Sequence, residues 1–354
     1  MRILGLDQLR GLCAASIMLM HYYSLMNIPH DATTFLGRIG FYGVDIFYIL
    51  SGLSLYTVHH DKPLSAPELK LFYTKRVFRI FPLLWLVIIY NILRGSLISG
   101  DSYPLSQIFL NLTGLFGFVA WDEYIGVGTW SIGNEIVFYA CFPLLMAASK
   151  RPWIFMSILA ASFIATCMFS FHLQTLDASE IWSVYTNPVN HLFYFIAGIA
   201  IGRFGDLILS RSSSVLWLLL AASVLLFVLY PVTGSEYTVI KGLYRVLFTL
   251  PCIGAVLFFY RQRFSAPRVL DTFLVKLGEA SYSVYLLHPI VLSTLTLVLA
   301  RIHVSYEHPA AIIIPSVILT LLISYIVFIT FEKYFIRLGK KLASALIRTH
   351  ETES

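Results

Sequence analysis

Residues Ala310–Phe331 read AAIIIPSVILTLLISYIVFITF, a run without a single charged side chain. A helix needs about 20 such residues to cross the hydrocarbon of a bilayer. Nine further stretches of the same kind lie at 9–27, 40–58, 80–98, 130–149, 153–171, 190–207, 214–232, 242–260 and 280–301. Together they predict an all-α polytopic membrane protein with about ten transmembrane helices and the lipid bilayer as its solvent. Composition agrees: 58% of the 354 residues are hydrophobic, 12% are charged, and mean hydropathy is +0.78. Soluble domains carry about 25% charged residues. An eleventh apolar stretch, 105–121, contains Asn111, Gly114 and Gly117 and runs into the glycine-rich segment Asp122–Gly128. It reads as an interfacial or re-entrant segment near 105–128.

Charge sets the expected orientation. Cytoplasmic loops are rich in Lys and Arg. With ten spans and both termini cytoplasmic, all of the 25 basic residues fall inside except Arg38, Arg94, Lys241, Arg245 and Arg301. Counting 105–121 as a span would turn Lys150 through Arg211 outward and spoil the bias. The expected organisation is a membrane-embedded domain over 1–335 and a basic cytoplasmic tail over 336–354, with no appended soluble domain. The first helix, carrying Asp7 and Arg10, reads as retained. The pI of about 9.0 then reflects topology and anionic lipid, with no nucleic acid as partner. Cys13, Cys141, Cys167 and Cys252 sit in apolar runs without ligand spacing, which predicts neither a metal site nor a disulfide framework.

Ionisable groups inside a membrane are costly and invite a functional reading. His21 follows Arg10 by eleven residues, roughly 16 Å along a helix. That places it near mid-membrane, as a general base or as a histidine tied to a neighbouring helix. Asp45, in Gly43-Val44-Asp45-Ile46-Phe47, orients a histidine, holds a substrate hydroxyl or makes an interhelical hydrogen bond. Ser51-Gly52 after it reads as a close-packing point more than as a nucleophile. Asn134 and Glu135, with Tyr139 one turn on, form a polar turn heading the fourth span. Ser281, Tyr285 and His288 share one face, and Pro289 is expected to kink that helix; a cavity wall and a structural histidine both fit. Arg76 and Arg79, three residues apart, face one way, either to clamp phosphates or to anchor the helix in lipid headgroups.

Taken in order, these segments resemble the acyltransferase-3 family of membrane O-acyltransferases. The resemblance rests on Leu6-Asp7-Gln8-Leu9-Arg10-Gly11 with the Arg10/His21 pair, Gly43–Phe47 with Ser51-Gly52, and Arg76-x-x-Arg79 with Pro82. It continues through Trp130-Ser131 with Glu135 and Tyr139, Ser281–Pro289 and Phe331-Glu332. Two departures are the Tyr48-Ile49-Leu50 run and Gly133-Asn134.

The resemblance implies transfer of an acyl group, usually acetyl, from cytosolic acyl-CoA to a hydroxyl of a carbohydrate or glycolipid, such as a lipopolysaccharide O-antigen or exopolysaccharide. Acyl-CoA is a co-substrate; no tightly bound cofactor and no metal are implied. On this reading Arg10, Arg76 and Arg79 bind the donor and His21 is the base, with Asp45 and Glu135 as further catalytic candidates. Asn134, Tyr139, Ser281, Tyr282, Tyr285 and His288 form the substrate pocket, with Tyr282 or Tyr285 available to the oxyanion. Direct attack is favoured over an acyl-histidine intermediate. The expected location is a bacterial inner membrane. The rival reading is a secondary transporter or glycolipid flippase; no inverted repeat or matched pair of interrupted helices supports it. A non-catalytic membrane scaffold is the third.

Overall fold

A computed structural model describes residues 3–208, 212–264, 267–303 and 308–353; Arg2 and Arg211, counted above in the charge bias, lie outside these. The chain forms helices α1 (Leu4–Leu25), α2 (Phe35–His59), α3 (Ala66–Arg94), α4 (Leu105–Thr113), α5 (Phe116–Val119), α6 (Thr129–Ser149), α7 (Pro152–His172) and α8 (Ala178–Tyr185). They are followed by α9 (Pro188–Ile208), α10 (Ser213–Leu229), α11 (Gly242–Arg261), α12 (Arg268–Glu279), α13 (Ser281–Arg301), α14 (Ala310–Val327) and α15 (Lys333–Glu353). No strand occurs among the described residues. A helix stands at each of the ten apolar stretches, and seven helical runs are long and apolar enough to cross a membrane. These are α2, α3 with its π-helical extension, α6, α7 with the 3-10 turn that follows it, α11, α13, and the run Ala310–Ala345 that joins α14 to α15.

The eleventh stretch is broken. Gly114, at φ +75°, ends the nine-residue α4 before the four-residue α5 begins. A left-handed residue cannot continue a helix, and neither piece approaches the length of a span. Asn111 ties this segment down: its side chain accepts from the Ile125 amide and donates to the Gln107 and Glu123 carbonyls.

Helix α2 is the centre of the bundle, with 83% of its most apolar window buried. It packs on α1 and α9. The contact with α9 depends on two glycines. A Cβ on Gly52 would lie 2.0 Å from the Phe195 carbonyl oxygen, and one on Gly198 would lie 2.0 Å from that of Ile49. Small residues of this kind let membrane helices approach backbone to backbone. By contrast, α7 has 22% of its window buried. On α14, Ile314, Ile318, Leu322 and Ile326 are exposed at four-residue spacing, one lipid-facing stripe of a helix.

Two basic residues expected on the outer side are inside the protein. Arg38 is buried and donates to the carbonyls of Ala32, Phe227 and Val228, satisfying the open end of α10. Arg245 is fully buried. The boundary expected at 335/336 falls within α15, which continues from α14 through a π-helical turn and packs along α3.

Candidate active site

One cavity of about 420 Å³ opens between α1, α2, α3, α6, α13 and α15. It is lined at one end by Tyr285, Ser131 and Phe47, in its middle by Glu135, Ser51 and Tyr139, and by five cations: Arg10, Lys75, Arg76, Arg79 and Lys340. Glu135 is the one carboxylate among the lining side chains. The helices supply these groups at regular spacing. Glu135 and Tyr139 are one turn apart on α6, and Arg76 and Arg79 one turn apart on α3, so each pair points the same way.

The polar contacts hold the wall in place. Ser51 Oγ donates to Glu135 Oε1 at 2.9 Å and lies 3.1 Å from the Tyr139 hydroxyl, which also donates to Glu135. Arg10 bonds Asp7 Oδ1 at 3.1 Å and Ser54 Oγ at 2.5 Å. Arg76 lies over the rings of Phe72 and Tyr139. Behind Arg79 stands Glu332, buried, with Oε2 accepting from Ser283 at 2.8 Å and Oε1 3.9 Å from the guanidinium. Tyr282, also lining the cavity, donates to the Ile80 carbonyl at 2.7 Å.

His21 and His288 meet each other next to this cavity and are not part of its lining. His21 Nδ1 lies 2.7 Å from His288 Nε2, with the rings nearly parallel. His288 Nδ1 lies 3.0 Å from the Val284 carbonyl. A carbonyl can only accept, so His288 carries its proton on Nδ1. In the neutral ring its Nε2 then accepts, and His21 must donate from Nδ1. The proton of neutral His21 is thereby fixed on Nδ1, and its Nε2 keeps a free lone pair. Tyr285 connects the two compartments. Its ring packs edge-on against His288 on one side and Phe47 on the other, while its hydroxyl bonds Gly128 and Ser131.

The remaining expected site residues are elsewhere. Asn134 is fully buried and does not line the cavity. Asp45 is also fully buried and lies in a separate cluster: its Oδ1 is 2.7 Å from His191 Nδ1 and its Oδ2 is 3.5 Å from Arg245 Nη1. His191 Nε2 faces the Tyr185 carbonyl at 2.8 Å, so the ring is protonated there and one further proton lies between Asp45 and Nδ1. Arg245 is sandwiched between the rings of Tyr185 and Tyr194. The histidine that meets Asp45 is therefore His191, on α9. His191 is absent from the candidates above although it lies in the stretch 190–207, where an ionisable group inside a span is itself a signal. Lys75 and Lys340 were overlooked as site residues because each is an ordinary flanking cation in sequence.

No group of His, Cys, Asp and Glu that could hold a metal ion occurs among the described residues. The four cysteines are free.

Helices throughout, seven runs fit to span a membrane, and a cavity walled by six of the helices and lined by charged side chains define a polytopic membrane protein with an internal site. The model of the acyltransferase-3 family, described as an acyltransferase domain, matches residues 3–329. The chain belongs to that family and is an acyltransferase. It is 25% identical to a putative acetyltransferase, ORF330, of Acidianus two-tailed virus over 79% of this chain and 81% of the relative. It is 28% identical to the exopolysaccharide production protein ExoZ of Rhizobium meliloti, over 72% of this chain and 77% of ExoZ. It is 26% identical to the peptidoglycan O-acetyltransferase OatA of Listeria monocytogenes, over 72% of this chain and 45% of OatA. No solved structure matches the chain.

Proposed function

We propose that the protein O-acetylates a cell-surface polysaccharide, taking the acetyl group from acetyl-CoA on the cytoplasmic side of a bacterial inner membrane. The relatives' names, an exopolysaccharide production protein and a peptidoglycan O-acetyltransferase, favour a surface polysaccharide as acceptor. The proposed topology has ten spans, adding α1, α9 and α10 to the seven long runs, with both termini cytoplasmic and α4–α5 interfacial or re-entrant. It places the cationic end of the cavity at the inner face, as the charge bias requires.

The observation that carries this reading is the order of groups along one path: five cations, the Ser51–Glu135–Tyr139 wall of the cavity, Tyr285, then a histidine pair. The phosphates of coenzyme A cannot enter lipid and bind at Arg10, Arg76 and Arg79. Its thin pantetheine arm runs past Ser51 and Tyr139. For the thioester to reach His21 the ring of Tyr285 or Phe47 must swing aside, a side-chain rotation and not a helix movement. The acceptor hydroxyl approaches from the other side. His21 Nε2, with its lone pair free, takes the hydroxyl proton as the oxygen attacks the thioester carbonyl. The C–S bond then breaks, an ester forms, and the coenzyme A thiolate leaves with that proton.

The test is purified protein with radiolabelled acetyl-CoA, paired with mass spectrometry of surface polysaccharides from cells with and without the gene. The expected result is a gain of one acetyl group per modified sugar, reduced about 10²–10⁴-fold in His21→Ala, the usual worth of a general base. Wild-type acetylation in a folded His21→Ala protein removes His21 from the chemistry. Movement of a glycolipid across the bilayer without acetylation identifies a flippase instead.

A further inference from the structure

We infer that α15 carries a phosphate subsite, formed by Lys340 with Lys75, that receives the outermost phosphate of a polyphosphorylated nucleotide. The inference rests on the acyl-CoA donor proposed above and extends it to Lys340, which lies outside the family's match ending at 329.

On α3, Lys75 lies one turn further from the Tyr285 end than Arg79. On the run from α14 to α15, Lys340 is eight residues beyond Glu332, roughly 12 Å along the helix, and its neighbour Gly339 lies against Phe78 of α3. Ile336, midway between, also lines the cavity, so the α15 face from Glu332 to Lys340 follows the wall. Lys75 and Lys340 thus stand at the end of the cavity away from Tyr285, with Arg76 beside Lys75 and Arg79 one turn further in.

Arg79 is paired with Glu332 and Arg10 with Asp7, whereas among the described residues Lys75, Arg76 and Lys340 have no carboxylate within ion-pair distance. Two like charges on facing helices repel unless an anion lies between them. The register that brings them together is fixed by close packing: a Cβ on Gly339 would lie 2.5 Å from Phe78 Cβ. Gly339 thus lets α15 settle against α3 and presents Lys340 at the mouth.

A phosphate at this mouth has two sources, a nucleotide or an anionic lipid headgroup, and the test separates them. The full chain, purified in a zwitterionic detergent, is titrated with coenzyme A and with 3′-dephospho-coenzyme A by calorimetry, with and without added phosphatidylglycerol. Coenzyme A is expected to bind more tightly than its dephospho form. Lys340→Gln is expected to weaken coenzyme A about tenfold, the usual loss for one charge-assisted hydrogen bond, and to abolish the preference between the two ligands. Lys340→Arg restores both. Lys340 is exposed, so the variants keep the fold, checked by thermal melting. Unchanged coenzyme A affinity in Lys340→Gln overturns the subsite and leaves the donor reading standing. Competitive displacement by phosphatidylglycerol assigns the lysines to lipid and overturns it too. No binding of coenzyme A to the wild type overturns the donor and the subsite together.

Discussion

His21 owes its chemistry to the atom behind it. A histidine alone in a helix holds its proton on either nitrogen, but the Val284 carbonyl fixes the tautomer of His288, and His288 fixes that of His21. A residue that accepts at the position of His288 Nε2 is therefore required. His288→Gln, whose amide oxygen accepts, is expected to keep measurable transfer. His288→Leu is expected to fall about as far as His21→Ala, with the Michaelis constant for the donor unchanged. Equal losses in the two His288 variants would show a packing role instead. Asp45 belongs to a different kind of site. It is sealed beside His191 and Arg245, the arginine lying between the rings of Tyr185 and Tyr194. Removing one partner of a buried ion pair costs about 3–5 kcal/mol because the other charge is left uncompensated. Asp45→Leu is expected to lower the melting temperature in detergent markedly, while any folded fraction binds coenzyme A with wild-type affinity.

At the scale of elements, the site depends on how closely α2 approaches its neighbours. Gly52 and Gly198 bring α9 against α2, and the adjacent Ser51, turned about 100° around the helix, faces the cavity, where it meets Glu135 and Tyr139. The Ser51-Gly52 pair thus has two separate tasks. Gly52→Ala inserts a methyl group where a carbonyl oxygen stands and is expected to destabilise by about 1–3 kcal/mol, read as a lower melting temperature. Ser51→Ala removes a hydroxyl and leaves the helix contact untouched, so its melting temperature is expected to match the wild type. Helix α1 is held at its start in a similar way: Gln8 bonds Asp271 of α12 and exchanges two hydrogen bonds with the Phe264 backbone. This anchor fixes the depth of Arg10 and, eleven residues on, of His21.

For the whole molecule, the cavity has one cationic end, and the histidine pair lies beyond the opposite one. Such polarity suits a donor and an acceptor that approach from different sides. It yields a topological prediction: a cysteine placed at Lys340 is labelled by a membrane-impermeant maleimide in inside-out vesicles and spared in intact cells. Labelling in intact cells would invert the orientation and remove the cytosolic donor.

The apolar helices, the arginine pair and the two histidines are legible in the sequence because each is a local pattern: an apolar run of a given length, or a spacing that sets a helix face. Even so, 105–121 was readable as no span only through its glycines and the balance of charges. The partners were not readable. His21 and His288 are 267 positions apart, Asp45 and His191 are 146 apart, and nothing in either neighbourhood says which histidine meets which acid. The same holds for Lys340, a flanking cation in sequence that the packing of α15 on α3 turns into part of a wall. The sequence by itself determined that this chain lives in lipid, where backbone groups must be satisfied within each helix. Which helices touch, and so which polar side chains share a cavity and which are sealed away, followed only from tertiary packing, because lipid offers no hydrophobic gradient to order the helices and close contact must do so.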